Sequence, residues 1–215
     1  MNEQLRIDLW GDVVCPFCYL GTRQLYLALD QFEHRERVVI RYHAFELDPA
    51  APRDEQRTLD EVLAAKYSMP LERARALNGR VEGEAAALGM TWSLRDARPT
   101  NTFDAHRLMA RATDQGRDGA MSERLYRAYF SDGELLSDHS TLARLASEVG
   151  VVDAEEVLAS GDLADRVRSD EAAAQELGIS GVPAFAIDDK FIVVGAQGAD
   201  QLLSVLERAW ARRAA

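Results

Sequence analysis

Apolar and charged positions alternate through Leu5-Arg6-Ile7-Asp8-Leu9-Trp10, the period of a β-strand. From Leu20 the period changes. Leu20, Leu25, Ala28, Leu29 and Phe32 recur at helical spacing, which predicts a helix of ~18 residues. A second strand follows over 37–45, with Val38, Ile40, Tyr42 and Ala44 on one face. Strand, helix and strand make a βαβ unit with a right-handed crossover. Two prolines and a charge cluster over 48–54 then mark a loop.

Beyond residue 55 the pattern is helical for about ninety residues. Helices are predicted over 58–67, 70–88, from Phe103 through Ala112, 121–130 and 140–149. A short extended piece is expected at 89–94. Asn101 and Thr102 precede the periodic run as cap residues, and Gly133 and Gly150 stand where helices stop. A further helix over 163–177 ends at Gly178. Ala184–Ile187 then reads as a strand, Asp188-Asp189 as its turn and Phe191–Val194 as the hairpin partner. The closing helix, 200–213, turns Leu202, Leu203, Leu206 and Trp210 inward.

Composition narrows the function classes. The 215 residues are 47% hydrophobic, enough for a real core, and carry a net charge of −11, which argues against nucleic acid and against an anionic membrane surface. No run of eighteen apolar residues is present, so no membrane span is expected. The first residues lead straight into a strand without a basic stretch and an apolar core, so the expected compartment is the cytoplasm, where thiols stay reduced.

Against that background Cys15 and Cys18, the chain's only cysteines, carry the candidate chemistry. Random placement would set two cysteines three apart only about one time in a hundred. The pair sits where the first strand turns into the first helix, with Pro16 at the first helical position, where its missing N–H costs nothing. One helical turn places both sulfurs on one face. A helix N-terminus, with its free N–H groups and positive dipole end, favours the reactive thiolate. Cys15, at the exposed edge of the turn, is therefore the expected nucleophile, and Cys18 the resolving thiol. A zinc site would need four ligands; a second CxxC is absent and His34, His43, His106 and His139 are not paired at ligand spacing, so no metal is expected. Two inert buried thiols are the remaining alternative. His43 is expected to be a packed or rim histidine.

The residues Asp12-Val13-Val14-Cys15-Pro16-Phe17-Cys18-Tyr19-Leu20-Gly21, Asn101-Thr102-Phe103-Asp104-Ala105-His106-Arg107-Leu108 and Gly181-Val182-Pro183-Ala184-Phe185 resemble the thioredoxin superfamily, its DsbA branch, and within that the FrnE-type DsbA-like proteins. The resemblance covers essentially the whole chain. It implies an α/β, thioredoxin-like fold over 1–52 and 150–215 with an all-helical insertion over 53–149. It further implies that Pro183 is a cis-proline facing the dithiol, and that Val182 offers its backbone to an extended substrate. Pro16, Phe17, Val182 and Pro183 are accordingly the expected substrate-binding residues, beside the catalytic Cys15 and Cys18. The implied activity is thiol–disulfide exchange on protein or small-molecule disulfides and dithiols. No cofactor is expected beyond a redox-active Cys15–Cys18 disulfide, with glutathione or another small thiol as a co-substrate; a homodimer is compatible with this.

Kappa-class glutathione transferases and 2-hydroxychromene-2-carboxylate isomerases belong to the same branch, and by the family pattern have serine where this chain has Cys15. Retention of both cysteines favours electron transfer over glutathione-assisted isomerisation. A non-catalytic redox-sensing binding protein is the reading from another class. Two readings stand for Asp200 (holding a γ-glutamyl amine, or a helix-dipole acid) and for Asn101 and His106 (lining the cleft, or capping and packing).

Overall fold

The computed structural model describes residues 4–213 and resolves them into two compact units. One runs to Phe45 and resumes at Val167; the other is Glu46–Arg166.

The first unit contains strands β1 (Leu5–Gly11), β2 (Val38–Ala44), β3 (Ala184–Ile187) and β4 (Phe191–Val194) in the order β2-β1-β3-β4. β1 pairs parallel with β2, and β3 antiparallel with both β1 and β4. A 3₁₀ turn, Arg35–Arg37, leads into β2, so Arg37 lies before the strand rather than in it. Helices α1 (Pro16–Gln31) and α9 (Ala199–Ala211) cover one face of the sheet. There Leu5, Ile7 and Leu9 meet Leu25, Leu29, Phe185, Leu202 and Leu206 in a buried core. The other face, read from the alternation as charged, is buried as well. Asp8 is only 7% exposed, and Trp10 packs with Ala174, Ile179, Ala184 and Ala186 beneath α8 (Ala164–Glu176). A sheet covered on both sides must find partners for any polar side chain on either face.

The second unit is helical: α2 (Leu59–Lys66), α3 (Leu71–Ala87), α4 (Phe103–Asp114), α5 (Asp118–Phe130) and α6 (His139–Glu148), which the periodicity predicts, and α7 (Ala154–Ala159), which it does not. Thr58 and Glu61 form a reciprocal capping box at the start of α2. The 89–94 segment is irregular and joins no strand; it is held instead by the Ser93 N–H donating to the Phe130 carbonyl (2.7 Å) and by Trp92 stacking on Phe130 (4.8 Å). The six-residue α7 shows no clear period in the sequence. The carbonyls at and just past its end accept from a buried arginine: Arg107 donates to Val157, to Ser160 (2.6 Å) and to Asp162 (2.8 Å). Asp104 balances that charge at 2.7 Å.

Candidate active site

Cys15 is the N-cap of α1, in an extended conformation (φ −89°, ψ 114°), with Pro16 at the start of the helix. Its N–H donates to the Asp12 carbonyl (3.0 Å), closing the turn out of β1. Its own carbonyl accepts from the N–H groups of Cys18 (3.0 Å) and Tyr19 (3.3 Å), so the first helical hydrogen bonds begin at the cysteine itself. Both thiols are free. They are 3% and 0% exposed, so Cys15 is buried rather than at the exposed edge the sequence predicts; Phe17 between them is 45% exposed and forms the accessible part of the motif. Complete burial pushes the Cys18 thiol well above the ordinary thiol range. A hydrogen bond to the Cys15 sulfur and the nearby Asp12 side chain push the same way.

The loop before β3 closes the site. The Val182–Pro183 peptide is cis, and the Val182 carbonyl accepts from the Cys15 thiol at 3.8 Å. Pro183 packs on α1 at Gly21, where a Cβ would stand 2.7 Å from the proline Cγ and 3.2 Å from the Phe185 ring. The close approach of loop and helix depends on that glycine. On its far side, the Pro183 carbonyl accepts from Gly195 N–H at 2.7 Å.

A model of the DsbA-like thioredoxin domain matches residues 6–207. The chain belongs to the DsbA-like thioredoxin-domain family. A probable DsbA oxidoreductase from Streptomyces coelicolor is 37% identical, with a TM-score of 0.92 over 97% of this chain and 91% of that one. A 2-hydroxychromene-2-carboxylate isomerase (18% identity, TM-score 0.72, 97% and 98% covered) shares the fold. So does the cytosolic disulfide reductase DsbM from Pseudomonas aeruginosa, solved with GSH (19% identity, TM-score 0.67, 96% and 99% covered). No curated protein matches the chain.

In this DsbA-like chain Cys15, Cys18, Val182 and Pro183 come together, with Pro16 and Phe17 between the thiols. Asp200 lies in the exposed first turn of α9. In the helical unit, Asn101 Oδ1 accepts from the Phe103 N–H (3.1 Å) and caps α4, a job Thr102 does not share. His106 is buried in α4. Among the described residues no cluster of three or more His, Cys, Asp or Glu is placed to hold a metal, and no helix is long and apolar enough to cross a membrane.

His43 is packed, as the sequence predicts, but its two partners were not foreseen. His43 is clamped between two carboxylates, Nδ1 to Asp170 at 2.8 Å and Nε2 to Asp8 at 2.9 Å, and stacks on Trp10 at 4.5 Å. Asp170 also accepts from the Ala44 N–H (3.1 Å), and its carbonyl accepts from the Trp10 indole N–H (3.0 Å). Burial pulls the imidazole down, but the bonds to Asp170 and Asp8 outweigh it and raise its pKa to about 9. The sequence signal was an aspartate inside a strand, which propensity disfavours.

Proposed function

We propose that this protein is a thiol–disulfide oxidoreductase in which Cys15 attacks and Cys18 resolves. The observation that carries the reading is the pairing of a helix-capping Cys15 with a fully buried Cys18 one turn along the same helix, whose thiol burial and the Cys15 sulfur push up. Cys15 thiolate attacks one sulfur of a substrate disulfide, forms a mixed disulfide and expels the other sulfur as thiolate. Cys18, on losing its proton, attacks the Cys15 sulfur, closes the Cys15–Cys18 disulfide and releases the second substrate thiolate. Two electrons pass from the dithiol to the substrate, and a small thiol, glutathione first among those to test, returns them. Pro16, Phe17, Val182 and Pro183 hold the substrate segment beside the sulfurs. The cytoplasm is the proposed compartment.

The test is insulin reduction with dithiothreitol or glutathione as donor. Wild type turns over, Cys15→Ser does not, and Cys18→Ser accumulates a mixed disulfide with glutathione. Absence of wild-type turnover with either donor removes this reading in favour of a redox-sensing binding protein. Turnover that survives Cys15→Ser reverses the roles.

A further inference from the structure

β4 is the edge of the sheet, and its outer side is unpaired among the described residues. The Gly195 N–H donates straight across to Pro183, so the alternating ladder turns the backbones of Phe191 and Val193 toward β3. The N–H and C=O of Ile192 and the N–H of Val194 therefore face outward. The Val194 carbonyl already accepts from Gln197 Nε2 at 2.8 Å. Ile192 and Val194 are 49% and 46% exposed, because α8 covers the Trp10, Ala184 and Ala186 part of that face and stops short of β4. A bare apolar edge of this kind pairs with another strand unless it is blunted.

Beside the edge, β4 and α9 enclose an open groove of about 430 Å³, lined by β4 together with Lys190, Gln201, Val205 and Arg208. Its lining includes two cations and no carboxylate, on a chain whose net charge is −11. Arg212 adds a third cation, 5.0 Å from the centre of the Phe191 ring. None of the three is in a salt bridge among the described residues.

We infer that β4 is a docking edge for an extended segment of a partner protein that alternates apolar and acidic residues. The segment adds a fifth strand to the sheet. Its backbone pairs with Ile192 and Val194, its apolar side chains continue the Ile192–Val194 stripe, and its carboxylates fall on the α9 side against Arg208 and Arg212. The site is separate from the dithiol, and its test reads binding, not turnover.

The probe is a fluorescein-labelled acetyl-Val-Glu-Val-Glu-Val-Glu-Val-amide, followed by anisotropy. The expected result is saturable binding that weakens with salt, falls at least tenfold in Arg208→Glu, and is lost in Ile192→Pro, which removes the outward N–H. Arg208→Glu is a surface change and keeps the test valid should Ile192→Pro unfold the chain. No saturation up to 1 mM peptide, or equal binding of the peptide with Lys for Glu, overturns the inference. So does a wild-type dimer in sedimentation that Ile192→Pro dissolves, since a second copy would then own the edge.

Discussion

The His43 clamp makes a quantitative prediction. Both ring nitrogens lie within 3 Å of a carboxylate oxygen, and only the imidazolium can donate from both at once. A neutral ring would set one lone pair against an oxygen lone pair. His43 titrates at its ordinary 6.5 in the unfolded chain and at about 9 in the folded one. The difference, at 1.36 kcal/mol per unit, amounts to about 3 kcal/mol of stabilisation. The folded value is the higher, so the contribution is complete below pH 6.5, declines through the interval and is gone above pH 9. Asp8, held below its usual range despite burial by His43 and Arg6, changes only on the acid side. His43→Gln keeps a hydrogen-bonding side chain without the titration. Urea denaturation of both proteins at pH 6, 7, 8 and 9 should show a stability gap that shrinks by about 3 kcal/mol across the series, with wild type losing the ground. A gap that is constant or grows with pH, or a His43 titration observed by NMR near 6.5, would refute the doubly donating clamp.

Three further outcomes follow from named contacts. Asp104→Asn should cost about 3–5 kcal/mol in urea denaturation at pH 7, because it leaves the buried Arg107 guanidinium without its balancing charge; a loss below about 1 kcal/mol would contradict this. Burial raises the Asp104 carboxyl, but bonds to His139, Arg107 and Arg53 hold it at about 2, so its contribution is present above pH 3.8 and fades only as pH falls toward 2. Gly21→Ala should destabilise by about 1–3 kcal/mol and slow insulin reduction, since the new methyl meets the Pro183 ring at 2.7 Å; unchanged melting and rate would mean that the loop yields freely. Phe17→His should make the potential in a glutathione redox titration more positive, by about 30 mV for each 1.4 kcal/mol that the added donor stabilises the Cys15 thiolate. An unchanged or more negative value would show that the Pro16-Phe17 dipeptide does not control the potential.

The dithiol was legible in the sequence because its chemistry is local. A cap, a proline and an i,i+3 spacing are all set within four residues, and the structure places Cys15, Pro16 and Cys18 in those positions. The hairpin was equally plain, since its positive-φ turn at Asp188 and Asp189 separates two short apolar runs. What escaped depends on residues far apart in the chain. His43 and Asp170 are 127 positions apart, and nothing near either one announces the other. α7 begins at a left-handed Asp153 and lasts six residues, too short for a period to show, and it is completed by Arg107 from another helix. The alternation of β1 identifies a strand but not what covers its charged side: a charged residue every second position implies solvent only when one face of the sheet is open. Here α8 covers the part of that face around Trp10, so Asp8 needs a cation, and His43 and Arg6 supply it. Trp10 joins this cluster to the end of the sheet that carries the dithiol. It stacks on His43, stands opposite Ala184 in the β1–β3 register and packs in the small core that Val182 borders. The clamp that holds α8 to the sheet therefore also fixes the strand ends that carry the Cys15 turn and the Pro183 loop.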